Sequence, residues 1–266
     1  LKSLPLSWFE ENIKPEQVKK LQKVFFCGNV GDPASAPELI DITKFFKKHN
    51  NKITIGLNSN GGLKTKEWWT RLGKELQGHL DYCVFSIDGL EDTNHMYRRN
   101  VRWQKIMENV QAFISTGAKA HWDMLVFEHN KHQVSEAQEL ANSMGFTWFR
   151  TKETDRWDTY TLNFGIEPAG DYQPPSYGRN ILCEKDRDQS VFLDYTGKYW
   201  PCCHMAEAYL NKVGLELHSD IRDYNNKELF KEYKARFVTD TPFYICRRAC
   251  GSKGKRSQWK NEVQLR

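Results

Sequence analysis

Five short runs of β-branched and aromatic residues alternate with longer stretches of helical periodicity between residues 24 and 150, and this alternation limits the fold more than any other feature. The β-rich runs cover residues 24–27, 52–57, 82–87, 119–127 and 146–150. Between them, residues 37–49 place Leu39, Ile40, Ile42, Phe45 and Phe46 on one helical face, and residues 103–116 do the same with Ile106, Val110, Phe113 and Ile114. Pro37 suits a first helical turn, Thr65 a helix cap before Trp68, Trp69, Leu72 and Leu76, and Gly145 the end of a helix over 132–144. Strands and helices in this order predict βαβ units and a parallel sheet. A flat doubly wound sheet and a barrel both satisfy the periodicity.

The style of the sequence changes near residue 151. Residues 151–180 are polar, carry Pro168, Pro174 and Pro175, and read as a linker. Residues 191–194 and 198–200 flank Tyr195-Thr196-Gly197 and predict a β-hairpin, with a helix over 226–236. From residue 251 the chain holds Lys253, Lys255, Arg256, Lys260 and Arg266 and reads as a solvated basic tail. The domain expectation is therefore 1–150, a bridge at 151–180, a cysteine domain at 181–250, and the tail at 251–266.

A net charge of +5 over 266 residues is a mild bias, so a nucleic acid partner is permitted but not expected. No stretch has the apolar length to span a bilayer and no export signal is visible, which predicts a cytoplasmic location without a membrane partner. The first residue is Leu rather than Met, which fits a processed or incomplete product.

In parallel β/α folds ligands sit where strand carboxyl ends give way to loops. Here those ends read Gly28-Asn29-Val30-Gly31-Asp32, then Asn58-Ser59-Asn60-Gly61-Gly62, then Ser86-Ile87-Asp88-Gly89 leading to His95, Arg98 and Arg99. Each alone is an ordinary turn. Recurring at one end of one sheet, they offer an acid for an ammonium, Asn and Ser for ribose hydroxyls, and an arginine for a carboxylate, a set that suits a zwitterionic, sugar-bearing ligand.

Seven cysteines are present, five of them after residue 180. Cys27 and Cys83 lie in apolar runs and read as inert core residues. Cys183, Cys202, Cys203, Cys246 and Cys250 bracket the hairpin. Without an export signal such a cluster reads as metal binding, with iron–sulfur and zinc both chemically acceptable. His121, His129, His132 and His204 read as surface or capping residues, and His95 as one that positions its loop.

The strand-end motifs, taken in order over residues 24 to about 150 and running on through Val126-Phe127 to Asn130, resemble the radical S-adenosylmethionine enzymes. The resemblance implies a partial (β/α)6-type barrel whose first strand is missing here, since the family's CxxxCxxC segment, which holds a catalytic [4Fe–4S] cluster, does not occur. It assigns Gly28, Asn29, Gly31 and Asp32 to the cofactor's methionine end, Ser59 and Asn60 to the next loop, Ser86 to ribose, and Arg98 or Arg99 to the carboxylate. Gly-Asn-Val-Gly-Asp departs from the family's commoner Gly-Gly-Glu. No catalytic residue is assigned, and truncation is favoured over true loss.

The late cysteines resemble the auxiliary-cluster domains of the same enzymes, called SPASM in the fuller form and twitch in the shorter. This implies a small α+β domain with one auxiliary [4Fe–4S] cluster on Cys183, Cys202, Cys246 and Cys250, with Cys203 as the alternate. The activity implied for the intact protein is reductive cleavage of S-adenosylmethionine to a 5′-deoxyadenosyl radical that abstracts hydrogen. Implied partners are an electron donor such as flavodoxin or ferredoxin and a substrate that is a peptide, a protein or a small molecule. The competing readings are a non-catalytic iron–sulfur or zinc binding protein, and a nucleic-acid module using the basic tail.

Overall fold

The computed structural model describes residues 3–28, 31–154, 165–169, 181–210, 226–236, 242–250 and 260–265. The chain divides into two compact units, one of Pro5–Tyr172 with Ser257–Arg266 and one of Gln173–Arg256.

The first unit opens with α1 (Leu6–Asn12) and α2 (Pro15–Val18). Then follow β1 (Lys23–Phe26), α3 (Leu39–His49), β2 (Thr54–Ser59), α4 (Lys66–Glu75), β3 (Tyr82–Ser86), α5 (Asn94–Tyr97), α6 (Trp103–Ile114), β4 (Ala120–Val126), α7 (Val134–Met144) and β5 (Trp148–Glu153). The sheet runs β1-β2-β3-β4-β5 with every neighbour parallel, and a C-terminal strand, Lys260–Gln264, adds antiparallel to β5. Among the described residues β1 has one ladder neighbour, β2.

The periodicities explain the packing. Alternate strand residues Ile55, Leu57, Phe85, Trp122, Met124 and Phe149 are buried. So are the helix faces carrying Phe45 and Phe46 in α3, Trp69 and Leu72 in α4, and Val110 and Phe113 in α6. Trp69 sits against Phe85 at 5.2 Å and Phe113 at 6.1 Å between ring centres, so one ring joins β3, α4 and α6. Burying a side chain of this size contributes about 2–3 kcal/mol. At the amino ends of the strands, Asp81 accepts from Ile55 N and Gly78 N, both at 2.8 Å, and from Lys47 Nζ at 2.5 Å. This ties α3 to the starts of β2 and β3.

Three sequence expectations need correcting. α3 begins at Leu39 and not at Pro37, because Pro33–Ser35 forms its own 3-10 turn and Glu38 holds non-helical angles. The boundary at residue 151 falls inside β5, whose ladder with β4 runs to Val126↔Glu153. The expected basic tail ends in the strand Lys260–Gln264, paired Phe149↔Val263 and Trp148↔Gln264. Of the expected linker, residues 155–164 and 170–180 lie outside the described residues, while Pro168 bridges to Phe127 and Ile166 is buried.

The second unit contains the expected hairpin, Phe192–Leu193 with Tyr199–Trp200, and helices Glu184–Arg187, Cys203–Leu210, Asn226–Ala235 and Tyr244–Cys250. Buried Asp194 makes the turn. It accepts from Thr196 N at 2.7 Å, Lys198 N at 3.1 Å and Trp200 Nε1 at 2.7 Å. Trp200 then packs with Met205, Leu229, Tyr233 and Phe243. Among the described residues no helix is long and apolar enough to cross a membrane.

Candidate functional site

The strand-end loops of the first unit are joined through one carboxylate. Asp32 follows β1 and accepts from Ala34 N at 2.9 Å, from the Ser59 hydroxyl at 2.9 and 3.0 Å, and from Asn60 N at 2.8 Å. Sequence reasoning offered Asp32 to an ammonium and Ser59 to a neighbouring loop contact. The fold brings the two together, so Asp32 first latches the loop after β1 to the loop after β2. An ionised carboxylate has about four acceptor positions, so room for one further donor remains. Gly28 is required by the same turn, because a methyl group there would collide with the backbone oxygen of Gly31. Gly31 itself sits at φ 118°. Asn29 lies outside the described residues.

Ser86 ends β3, in register with Asp123 of β4. Beyond it, Asp88 is fully buried and accepts from Leu125 N and from Arg98 Nε, both at 2.6 Å. Asn94 Oδ1 accepts from Asp88 N at 2.9 Å, and Asn130 Nδ2 donates to Asp88 O at 2.9 Å. Arg98 is thus the arginine tied to the sheet end. The Arg99 backbone N–H donates to Tyr97 O.

Sequence reasoning missed a second set of residues on the sheet face turned away from the helices. Phe25, Asn58, Tyr82, Val84, His121, Asp123 and Arg150 line one cavity. Arg150 grips Asp123 with two bonds, Nε to Oδ1 at 2.7 Å and Nη2 to Oδ2 at 2.6 Å, and reaches Glu262 at 3.4 Å. Burial pushes the Asp123 carboxyl up despite Arg150 pulling it down. Burial also works against the Arg150 cation, but Asp123 and Glu262 outweigh it and raise its pKa. His121 stacks on Tyr82 at 4.8 Å and 8°. Burial pushes its pKa down to about 4, with Arg150, Lys119 and Lys23 adding to the effect. A signal was available: parallel strands are apolar on both faces, so His121 and Asp123 alternating with Trp122 and Met124 mark a polar inner face.

Two histidine expectations are overturned. His121 is not a cap but a half-buried mid-strand residue, its ring stacked on Tyr82 and lining the cavity. His129 stacks on Phe127 at 5.3 Å with both ring nitrogens buried and without a hydrogen-bond partner. Cys83 is fully buried as expected, whereas Cys27 is half-buried and not core.

In the second unit Cys183, Cys202, Cys246 and Cys250 line one cavity with Ile181, Met205 and His204. Local structure explains this. Cys246 and Cys250 lie one turn apart on one helix, and Leu182 N donates to Cys250 O at 3.1 Å, bringing the start of the unit to that helix end. Cys202 directly follows the hairpin. Cys203 opens the next helix and does not line the cavity. His204, expected at the surface or a cap, joins the lining because it lies within the first turn of that helix. Burial pushes the Cys202 thiol up to about 12, and neighbouring Cys203 and Cys250 add to it. Among the described residues no group of three or more His, Cys, Asp or Glu is set to hold a metal ion.

No family model and no curated protein matches the chain. Solved structures do. Streptococcus suis SuiB bound to S-adenosylmethionine superposes over 96% of this chain and 62% of its own, at TM-score 0.56 and 14% identity. Streptococcus suis SuiB in a second structure gives 94% and 63% at TM-score 0.55 and 14% identity. Native anSMEcpe with bound AdoMet and Cp18Cys peptide overlaps 52% of this chain and 40% of its own at TM-score 0.42 and 16% identity, an overlap that carries no weight. The chain spans less than two thirds of the SuiB chain, and across that span its α/β fold, with the mostly parallel sheet, is the fold of SuiB.

Proposed function

We propose that this chain is the greater part of a radical S-adenosylmethionine enzyme, with the adenosyl ligand on the loops joined by Asp32 and one auxiliary [4Fe–4S] cluster on Cys183, Cys202, Cys246 and Cys250. The observation that carries the reading is the fold shared with SuiB bound to S-adenosylmethionine, together with an acid and two small-residue loops joined at adjacent strand ends of this chain.

In this reading Asp32 gives its remaining acceptor position to the methionine ammonium, and the Gly28–Gly31 turn lets backbone approach the ligand. Ser86 and Arg98, or Arg99, supply the hydroxyl and guanidinium that sequence reasoning assigned to ribose and carboxylate. Asp88 fixes the direction of Arg98. In an intact longer chain carrying the catalytic cluster, the bound cofactor would supply the chemistry of hydrogen-atom abstraction, and the residues named here would only hold and orient it. What supports a cluster in the second unit is the chemistry of the donors: four cysteines line one cavity, beside Glu184, Lys185, His204 and Tyr233, and thiolates are the groups an iron–sulfur cluster takes. Cys203, which is not among the lining residues, is the spare.

The test is anaerobic reconstitution of the chain with iron and sulfide, with calorimetric titration of S-adenosylmethionine. The reading expects about four irons per chain and saturable S-adenosylmethionine binding that Asp32→Ala abolishes. Zinc retained in place of iron after reconstitution, with no S-adenosylmethionine binding, favours the non-catalytic metal protein.

A further inference from the structure

Tyr233 brings a buried hydroxyl to the thiol cavity of the second unit. It sits on the helix Asn226–Ala235, is 6% exposed, and lines the cavity with Cys183, Cys202, Cys246 and Cys250. Its ring belongs to an apolar cluster with Trp200, Met205, Leu229 and Phe243, so packing fixes where the hydroxyl stands. The other side-chain donors of the lining are Lys185, which is exposed, and His204, which is half-buried. Water therefore screens Tyr233 least of the three.

The hydroxyl carries one proton. It donates to Asp186 Oδ1 over 3.4 Å, beyond the ordinary O–H···O length of about 2.5–3.0 Å, so that bond is weak. Asp186 lies on the short helix that directly follows Cys183. Burial pushes the Tyr233 pKa up to about 12, and the negative charges of Asp186, Cys183 and Cys202 add to it, so the oxygen keeps its proton. Two of the four sulfurs are thus close enough to act on the phenol.

The reduction potential of an iron–sulfur cluster is set in part by hydrogen bonds to its sulfurs. Reduction adds negative charge to the sulfurs and makes them stronger acceptors. A donor fixed beside them in a low-dielectric space stabilises the reduced state more than the oxidised one.

We infer that the Tyr233 hydroxyl donates to a sulfur of the cluster held by Cys183, Cys202, Cys246 and Cys250 and raises its reduction potential. The inference rests on the cluster reading of that cavity. A wild-type chain that takes up no iron fails both. A chain that takes up iron, with a potential indifferent to Tyr233, fails this inference alone.

The full chain is reconstituted anaerobically and titrated with dithionite, which gives the cluster one electron with no bond made or broken, and the reduced cluster is followed by electron paramagnetic resonance. Tyr233→Phe keeps the wild-type iron content and makes reduction about tenfold less favourable, a midpoint lower by about 59 mV. The circular dichroism melt reports that the variant folds. A second measurement leaves the sequence unaltered: the chain grown on 3-fluorotyrosine has stronger phenol donors of nearly the same shape, and Tyr233 is the tyrosine of the lining. Its midpoint rises, and the same labelling of Tyr233→Phe shifts nothing. An unchanged midpoint in folded Tyr233→Phe means that Asp186 keeps the proton, and overturns the inference. Iron loss from that variant makes the hydroxyl a support for the ligands instead, and an unshifted midpoint in the fluorinated wild type removes the donor altogether; either result overturns it as well.

Discussion

Arg150 of β5 and Asp123 of β4 face each other in register and form a two-pronged ion pair on the inner face of the sheet, at 2.6 and 2.7 Å. Taking both groups out of water has a cost that the pair offsets only while it is intact. Removing one partner strands the other. Arg150→Ala is expected to destabilise the first unit by about 3 kcal/mol, and the double variant with Asp123→Ala to recover more than half of that. Urea unfolding of the four proteins of the cycle measures the coupling.

Asp32→Ala breaks the latch between the loops after β1 and β2. Hydrogen bonds to a charged acceptor contribute about 1.5–3 kcal/mol each, so the loss is larger than for Ser59→Ala, which leaves the Asn60 and Ala34 amides bonded. Amide exchange at Asn60 reports the difference: fast in Asp32→Ala and slow in Ser59→Ala.

His121 gives the first unit a defined acid sensitivity. In the unfolded chain its imidazole protonates near its ordinary value of 6.5, whereas the folded protein resists until about 4. The unfolded state therefore binds the extra proton in that window. Stability from this group is fully present above pH 6.5 and is lost as pH falls toward 4, by at most about 3 kcal/mol. His121→Phe removes that loss. Denaturant midpoints of the two proteins at pH 7 and pH 4.5 check it, with the gap between them narrowing or reversing at the lower pH.

Of the five late cysteines, Cys203 is the one outside the shared cavity. Cys203→Ser is expected to keep the iron content of the reconstituted wild type. Cys183→Ser, Cys202→Ser, Cys246→Ser and Cys250→Ser each lower it. Iron and sulfide assays on the five variants decide the point, and iron loss from Cys203→Ser alone would reverse the assignment.

Trp69→Ala removes the ring that joins β3, α4 and α6. The cavity left behind costs about 3–5 kcal/mol, whereas the neighbouring Trp68→Ala, outside the buried set, costs well under half of that. Thermal melts of the two variants compare them.

The β/α order was readable because each helix carries its apolar face at helical spacing and each strand is short and β-rich. Thr65 and Gly145 marked helix ends where they occur, Gly145 at φ 90°. The strand Lys260–Gln264 was not readable: one Val among Lys, Asn, Glu and Gln carries no period, and the strand exists because β5 offers it an edge. In the site, the turn residues Gly28, Asp32 and Ser59 were visible as types. Their mutual bonding was not, since it joins residues 27 positions apart. The inner-face set escaped because its members come from five different strands, and only the ladder aligns Asn58 with His121.

The pairing of β5 with Lys260–Gln264 has a consequence for synthesis. The outer rim of β5 finds its neighbour only after everything between Thr154 and Lys260 has left the ribosome. During that interval the nascent first unit presents an open row of amides and carbonyls to the cell. A chain shortened before residue 260 keeps that row open permanently, and it should cluster into aggregates with its inner face otherwise fully assembled.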